Sequence, residues 1–149
     1  MNTRPTSVST GKFQDDYPFN ERQAESTRVR IKYPEHIPVI VEKIARSTIP
    51  VLKNKKYLIP VNCTVGEFIY LIRKKMKEDS VELLPEQAFF LFVKGTIPST
   101  AAKLNEVYHN HKDKDGFLYI NYSSENTFGK EDNSLKSSLT STLFQSEIR

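Results

Sequence analysis

The residues that could do covalent chemistry begin with Cys63, the only cysteine of the chain. A thiol becomes a nucleophile when a base or a positive charge activates it, and no neighbour in the sequence offers either. Cys63 stands directly before Thr64, which favours a small packed side chain beside a helix start. A single cysteine also excludes an intramolecular disulfide and is typical of a reducing compartment.

The histidines and aspartates do not have the spacing of a metal site. His109 and His111 are two residues apart and therefore point to different sides of a helix. Asp113, Asp115 and Gly116 suggest calcium, but an EF-hand loop places its glycine farther along and closes with a glutamate. We interpret them as an Asp-Gly turn and expect no metal and no cofactor. The chain also lacks a glycine-rich phosphate loop and a Gly-x-Ser-x-Gly motif, so we expect no enzymatic activity.

A group of lysines indicates a different kind of site. Lys53, Lys55 and Lys56 precede or begin the stretch "KYLIP", in which Pro60 suggests the margin of a strand. An edge strand bordered by lysines can accept an extended peptide by main-chain pairing, and the lysines favour acidic residues in that peptide. Lysines also protect an edge strand from aggregation, so the pattern alone leaves both interpretations open.

The charge is distributed unevenly along the 149 residues. Residues 1–77 carry 15 Lys/Arg against 7 Asp/Glu, whereas residues 78–149 carry 7 against 11. A basic first half suits an acidic partner. The basic residues are scattered and form no nucleic-acid-binding motif, so we expect no nucleic acid partner. Neither a membrane span nor a secretory signal is present, which predicts a cytoplasmic, soluble protein.

Hydrophobic periodicity and breaker residues predict seven elements. Thr64 and Glu67 form a capping box at the start of the clearest helix. The predicted elements are a helix at 18–33, strands at 36–44 and 55–61, a helix at 64–77, an interior strand at 87–93, a helix after Pro98, and a last strand at 117–123. This order predicts an α+β fold, a ubiquitin-like β-grasp with an N-terminal helical extension.

Several stretches together resemble one known family. They are "DYPFNERQAES", "IPVIVEKI", "KKYLIPVNCTVGEFIYLIRKKM", "PEQAFFLFV" and "HKDKDGFLYINYSSENTFG", which lie between about Phe13 and Gly129. These stretches are similar to the autophagy-related ubiquitin-like modifiers, the group of the GABA-receptor-associated protein and the microtubule-associated light chain. The resemblance implies a modifier domain at 13–129 and a pro-segment at 130–149. The residues themselves predict that the lead at 1–12, which has no periodic apolar set, is flexible and that the Ser/Thr-rich pro-segment is disordered.

The resemblance also implies a fate for the C-terminal tail. In this family a cysteine protease cuts after a Phe-Gly pair, which here is Phe128 and Gly129 followed by Lys130. E1-like and E2-like enzymes then join the new carboxylate to phosphatidylethanolamine. The expected locations are the cytoplasm and, after lipidation, autophagosomal or vacuole- and lysosome-related membranes. The alternative is an unconjugated trafficking or cytoskeletal adaptor that keeps its tail.

Members of the family also bind aromatic-x-x-aliphatic peptides of autophagy receptors and adaptors. The resemblance places two pockets beside the backbone of Lys56 to Leu58, and assigns Lys75 to contacts with the protease and acidic partners. The aromatic pocket is expected to use Glu25, Val29, Pro38, Ile40, Lys56, Leu58 and Phe117. The aliphatic pocket is expected to use Tyr57, Ile59, Pro60, Cys63, Phe68 and Leu71.

Two features depart from the family pattern. The acidic segment around Lys77–Leu84 is several residues longer than usual, close to Lys75. His36 occupies a position that is basic in many members. If His36 titrates near neutrality, the affinity for acidic peptides should depend on pH.

Overall fold

A computed structural model describes residues 11–79 and 88–125 of the chain. Each predicted helix and strand is present, although the bounds differ. A single helical turn precedes them, and no sequence pattern marked it. In chain order the elements are α1 (Phe13–Asp16), α2 (Phe19–Lys32), β1 (His36–Lys43), β2 (Lys56–Pro60), α3 (Val65–Glu78), β3 (Phe90–Phe92), α4 (Leu104–His111) and β4 (Leu118–Ser123).

The four described strands form one sheet in the order β2-β1-β4-β3. β1 and β4 are parallel neighbours at the centre, and β2 and β3 pair antiparallel on the outside. The prediction that β3 is an interior strand is therefore wrong. Leu91 and Phe92 point to opposite faces and are both buried. The apolar run reports burial of both faces, whereas an interior strand also requires a partner along each edge.

The main core lies between the sheet and α3. Alternate residues of β1, namely Ile37, Val39 and Val41, are buried with one face of α3. The predicted capping box opens this helix: Thr64 Oγ1 accepts from Glu67 N at 3.1 Å, and Glu67 Oε1 accepts from Thr64 N at 2.9 Å. These bonds satisfy orphan donors of the first turn, so the box fixes where α3 begins.

The opposite face of the sheet is covered by the N-terminal helices. Phe13 of α1 packs edge-on against Phe117, with ring centroids 5.3 Å apart, and both are buried beside Ile40. α2 lies over this face with few apolar contacts, and its buried residue is Ser26. Burial alone therefore does not explain what holds α2 in place.

Asp115 provides that attachment. Its carboxylate is fully buried and accepts hydrogen bonds from Arg22 Nε at 2.8 Å, Tyr119 Oη at 2.6 Å and Phe117 N at 2.9 Å. The Ser26 hydroxyl donates to the Asp115 carbonyl. Burial and the bond to Asp115 both raise the pKa of Tyr119, which keeps its hydroxyl a donor. The turn predicted at this point thus joins α2 to the sheet.

Replacing Gly116 by alanine should destabilise the fold by several kcal/mol. Gly116 has φ +95, a region that L side chains avoid, and an added Cβ would overlap Ser26 Oγ and lie 3.0 Å from Ser26 Cβ. Ser26 cannot move without losing its bond to Asp115. Gly95→Ala is the matched control, because Gly95 has φ +79 and open space around the added Cβ. In urea unfolding, the control should lose about 1 kcal/mol in the free energy of unfolding. Equal losses in the two variants would contradict the steric argument.

Candidate functional site

β2 pairs with β1 alone among the described strands, and its other edge carries no described strand. Val41 N donates to Lys55 O at 2.8 Å, and Val61 N donates to Glu35 O at 3.0 Å. Both bonds join residues directly opposite each other across the pair. In an antiparallel ladder hydrogen-bonded pairs alternate with non-bonded pairs. The pairs centred on Lys56 and Leu58 are therefore non-bonded.

The backbone of β2 consequently presents its polar groups to the outside at every second residue. The N–H and C=O groups of Lys56 and Leu58 point away from β1, toward the edge of β2 that carries no described strand. Pro38 of β1 stands opposite Leu58, and the pairing of β1 with β4 begins only at the next residue, Val39. Its missing N–H thus costs no ladder bond. The exposed donors and acceptors of β2 can accept one further extended chain.

Side chains of the predicted aromatic pocket lie on the α2 face of this edge. Pro38 and Leu58 are directly opposed, and so are Ile40 and Lys56. Ile40 is buried with Phe117, which forms an apolar floor. The structure therefore brings these five predicted residues to one face of the sheet.

Charged groups border the same pocket. Lys56 forms an ion pair with Glu25 of α2, and Arg28 Nη2 lies 3.8 Å from Glu25 Oε2. Val29 is half-buried one helical turn after Glu25. An acidic residue of a bound peptide would compete with Glu25 for these cations.

His36 lies at the start of β1, opposite Pro60. Its Nδ1 atom is buried and has no hydrogen-bond partner in the described part of the chain. The ring of Tyr33 packs edge-on against it at 6.1 Å. The pH dependence expected for His36 remains a prediction.

A second depression lies on the α3 side of the edge and has a volume of about 670 Å³. Three residues predicted for the aliphatic pocket line it, namely Pro60, Cys63 and Leu71. Ile59 and Phe68 are buried in the core, and Tyr57 packs against the core. The depression is also lined by Asn62, Gly66, Glu67 and Tyr70.

Tyr70 is a lining residue that the sequence reasoning missed. Its side chain is 68% exposed, next to Leu71 at 38%. The helical pattern of α3 assigns both to the outer face, where an aromatic residue has no packing role. Two adjacent apolar residues on the exposed side of a helix, Tyr70 and Leu71, are the sequence signal that indicates a binding surface here.

Two ionisable side chains, Cys63 in the second depression and Tyr57 beside the core, have raised pKa values. Burial raises the pKa of the Cys63 thiol, and the charge of Glu67 acts in the same direction. Burial also raises the pKa of Tyr57 to about 12, and its hydroxyl donates to Asn54 O at 2.9 Å. Both groups therefore stay protonated at neutral pH.

The remaining predicted residues lie outside the two pockets or outside the described residues. Lys75 Nζ lies 3.6 Å from Glu78 Oε1 on the exposed side of α3, so an acidic partner must compete with Glu78. Phe128, Gly129 and Lys130 lie outside the described residues, as do residues 80–84 of the acidic segment around Lys77–Leu84. In residues 11–79 and 88–125, no helix has the length and apolar character needed to cross a membrane.

Comparison with known proteins shows relatives that are similar to this chain in sequence and in fold. The family model described as "Autophagy protein Atg8 ubiquitin like" matches residues 21–129. Autophagy-related protein 8 of Emericella nidulans is 52% identical over 118 residues, which cover 79% of this chain and 96% of that protein. Autophagy-related protein 8d of Arabidopsis thaliana is 49% identical over 122 residues, covering 82% and 98%.

Two solved structures are also similar to this chain. Plasmodium falciparum Atg8 in complex with an Atg3 peptide has a TM-score of 0.69 at 36% identity, covering 76% of this chain and 96% of that one. Trypanosoma brucei ATG8 has a TM-score of 0.71 at 36% identity, covering 81% and 100%. The predicted α+β, ubiquitin-like fold is confirmed. The family model matches residues 21–129, and the two relatives are 52% and 49% identical over most of their length, so the chain belongs to the Atg8 family of ubiquitin-like autophagy proteins.

Proposed function

We propose that this chain is a ubiquitin-like modifier, not an enzyme, that is cut after Gly129 and conjugated through it to phosphatidylethanolamine. On autophagosomal membranes it binds aromatic-x-x-aliphatic segments of receptors and adaptors. The domain at 13–129 carries both activities, and the segment at 130–149 is removed. Two acyl chains would convert a cytoplasmic protein into a stably anchored one.

The main support for the proposed peptide binding is the edge of β2 that carries no described strand and lies between the two predicted pockets. The outward backbone groups of Lys56 and Leu58 supply main-chain pairing. Successive side chains of an added strand point to opposite faces, so the two ends of a four-residue motif reach opposite pockets. The aromatic residue would enter the pocket floored by Ile40 and Phe117, and the aliphatic one the depression beside Leu71.

The conjugation part is supported by the family. Membership implies a processing cysteine protease and an E1-like enzyme as partners. The Plasmodium falciparum relative was solved with an Atg3 peptide bound. We take the Atg3 counterpart to be the E2-like partner of this chain, which would contact the same edge.

The proposal is tested by the intact mass of the endogenous protein in cytosolic and membrane fractions. We expect a cytosolic species that ends at Gly129 and a membrane species heavier by one phosphatidylethanolamine. Full-length protein ending at Arg149 in both fractions would contradict conjugation. It would favour the unconjugated adaptor, whose peptide edge would be unchanged.

Lys56→Glu should weaken binding of an acidic-flanked Trp-x-x-Leu peptide about tenfold, because it replaces an attraction at the pocket rim by repulsion. Glu25→Gln should strengthen binding a few-fold, because Lys56 would no longer pair with Glu25 and could pair with the peptide alone. The effect is small because exposed ion pairs contribute about 0–1 kcal/mol. Fluorescence polarisation at two salt concentrations measures both effects. A peptide with neutral flanks is the control, and an equal response of the two peptides would contradict the charge argument.

A further inference from the structure

The proposed conjugation determines which end of the domain meets the membrane. β4 runs parallel to β1, so both strands end on the same side of the domain. Gly129 follows Ser124 by five residues, which span at most about 17 Å when fully extended. The surface beside Ser124 must therefore lie close to the lipid headgroups once Gly129 is attached.

The segment beside Ser124 is the loop at residues 44–55, which we call the β1–β2 loop. Ser124 N donates to Ser47 Oγ at 3.2 Å, and Ile44 N donates to Tyr122 O at 2.9 Å. These hydrogen bonds join the loop to the end of β4, so the loop lies on the side of the domain that would face the membrane.

Tyr122 fixes the conformation of this loop. Its hydroxyl accepts from Leu52 N at 3.0 Å and donates to Pro50 O at 3.1 Å. Leu52 is buried, whereas Val51 between these two anchors is 62% exposed. An apolar side chain is therefore held mostly exposed on an anchored loop.

The charge of the loop complements anionic lipid. Residues 44–55 contain no acidic residue, and Arg46 and Lys53 are exposed on either side of Val51. The acidic groups near the loop are engaged or at its margin. Glu42 Oε2 lies 3.6 Å from Lys55 Nζ, Asp79 accepts from Lys53 N at 3.1 Å, and Glu125 is exposed beyond β4.

We propose that the β1–β2 loop is a membrane-contacting surface for anionic lipid. Val51 enters the headgroup region, and Arg46 and Lys53 contact lipid phosphates beside it. The inference rests on the proposed function, because the proposed conjugation brings this side of the domain to the bilayer. The contact would orient the domain so that the β2 edge remains open to peptides.

The test uses the full chain, which contains no tryptophan. Val51→Trp introduces a single fluorophore at the loop. Ile31→Trp is the matched control, because Ile31 is 76% exposed and lies near the end of α2, before the start of β1. An N-terminal hexahistidine tag holds either variant on vesicles of phosphatidylcholine, phosphatidylserine and a nickel-chelating lipid. Gly11 and Lys12 line a hollow of about 230 Å³ together with Val51, so this tether also presents the loop to the membrane.

We expect the emission of Val51→Trp to shift to shorter wavelength and to be quenched by a lipid-attached quencher, while Ile31→Trp stays unchanged. Adding Arg46→Gln and Lys53→Gln to untagged Val51→Trp should lower its partition onto phosphatidylserine vesicles about tenfold. An unshifted Val51→Trp, or an equal shift in both variants, would overturn the inference. The tether does not use Gly129, so this result is independent of the mass measurement that tests conjugation.

Discussion

Gly129→Ala should abolish the lipid-linked form of the protein and leave the unfolding of the domain unchanged. Glycine has no Cβ, so a narrow catalytic cleft can close on the backbone at this residue. If Gly129 is the processed and conjugated residue, as proposed, a methyl group there would obstruct both the protease and the enzymes that activate the carboxylate. Gly129 comes six residues after the end of β4 at Ser123, so we expect the folded domain to tolerate the substitution. Membrane fractionation with intact mass, together with thermal unfolding, measures both parts.

The two steps blocked by Gly129→Ala can be separated. The full-length variant tests the protease, whereas chains that end at residue 129 in glycine or alanine test conjugation without prior cleavage. Lys130→Ala is the control, since under the proposed cleavage Lys130 would leave with the tail, and its substitution should be tolerated. Recovery of lipid-linked Gly129→Ala at the wild-type level would show that another residue is the conjugated terminus.

Local signals in the sequence were sufficient for most elements. The capping box of Thr64 and Glu67 and the 3.6-residue period after it depend only on neighbouring residues, and α3 begins where they predict. The position of β3 depends instead on which strand pairs with which, over distances that no local pattern records. An apolar run shows that both faces are covered, but it cannot show that one edge is open.

The site was predictable to a different degree. The lysines around β2 suggested an edge strand, and the outward N–H and C=O groups of Lys56 and Leu58 agree with that interpretation. The pocket residues came from the family resemblance, since no pattern joins Glu25 of α2 to Lys56 of β2. Tyr70 was missed because the helical pattern treated it as an ordinary outer-face residue.

The attachment of α2 also escaped prediction, because Arg22 and Asp115 are 93 residues apart. The local pattern around Asp115 suggested only calcium or a turn. A buried carboxylate with three donors is visible only when the chain is folded. Asp115 binds Arg22 of α2 and the backbone of Phe117, so we expect it to couple the N-terminal helices to the proposed aromatic pocket.

Asp115→Ala should therefore destabilise the domain strongly, with a loss of about 3–5 kcal/mol in the free energy of unfolding. The substitution leaves the Arg22 guanidinium, whose side chain is 10% exposed, without its carboxylate. It also leaves Tyr119 Oη and Phe117 N without an acceptor, and each unsatisfied buried donor adds to the loss. Asp115→Asn should cost less, because its amide oxygen can still accept from Phe117 N.

A matched comparison is the exposed pair of Arg28 and Glu25. The Arg28 side chain is 63% exposed, so Arg28→Met should cost at most about 1 kcal/mol. Chemical unfolding of the three variants measures these differences. Similar losses for Asp115→Ala and Arg28→Met would show that the buried carboxylate contributes no more than a surface ion pair.

Hydrogen exchange distinguishes loosening of α2 from loss of the whole fold. Arg22 also donates to the carbonyls of Gln14 and Tyr17, so it holds the α1–α2 connection as well as α2. In Asp115→Ala we expect amides of α1 and α2 to exchange faster while those of β1 stay protected. Affinity for a peptide with neutral flanks should fall in the same variant, since Val29, a residue of the predicted aromatic pocket, moves with α2. If the amides of α2 stayed as protected from exchange as in the wild type, Asp115 would stabilise only its own turn. It would then not link the N-terminal helices to the pocket.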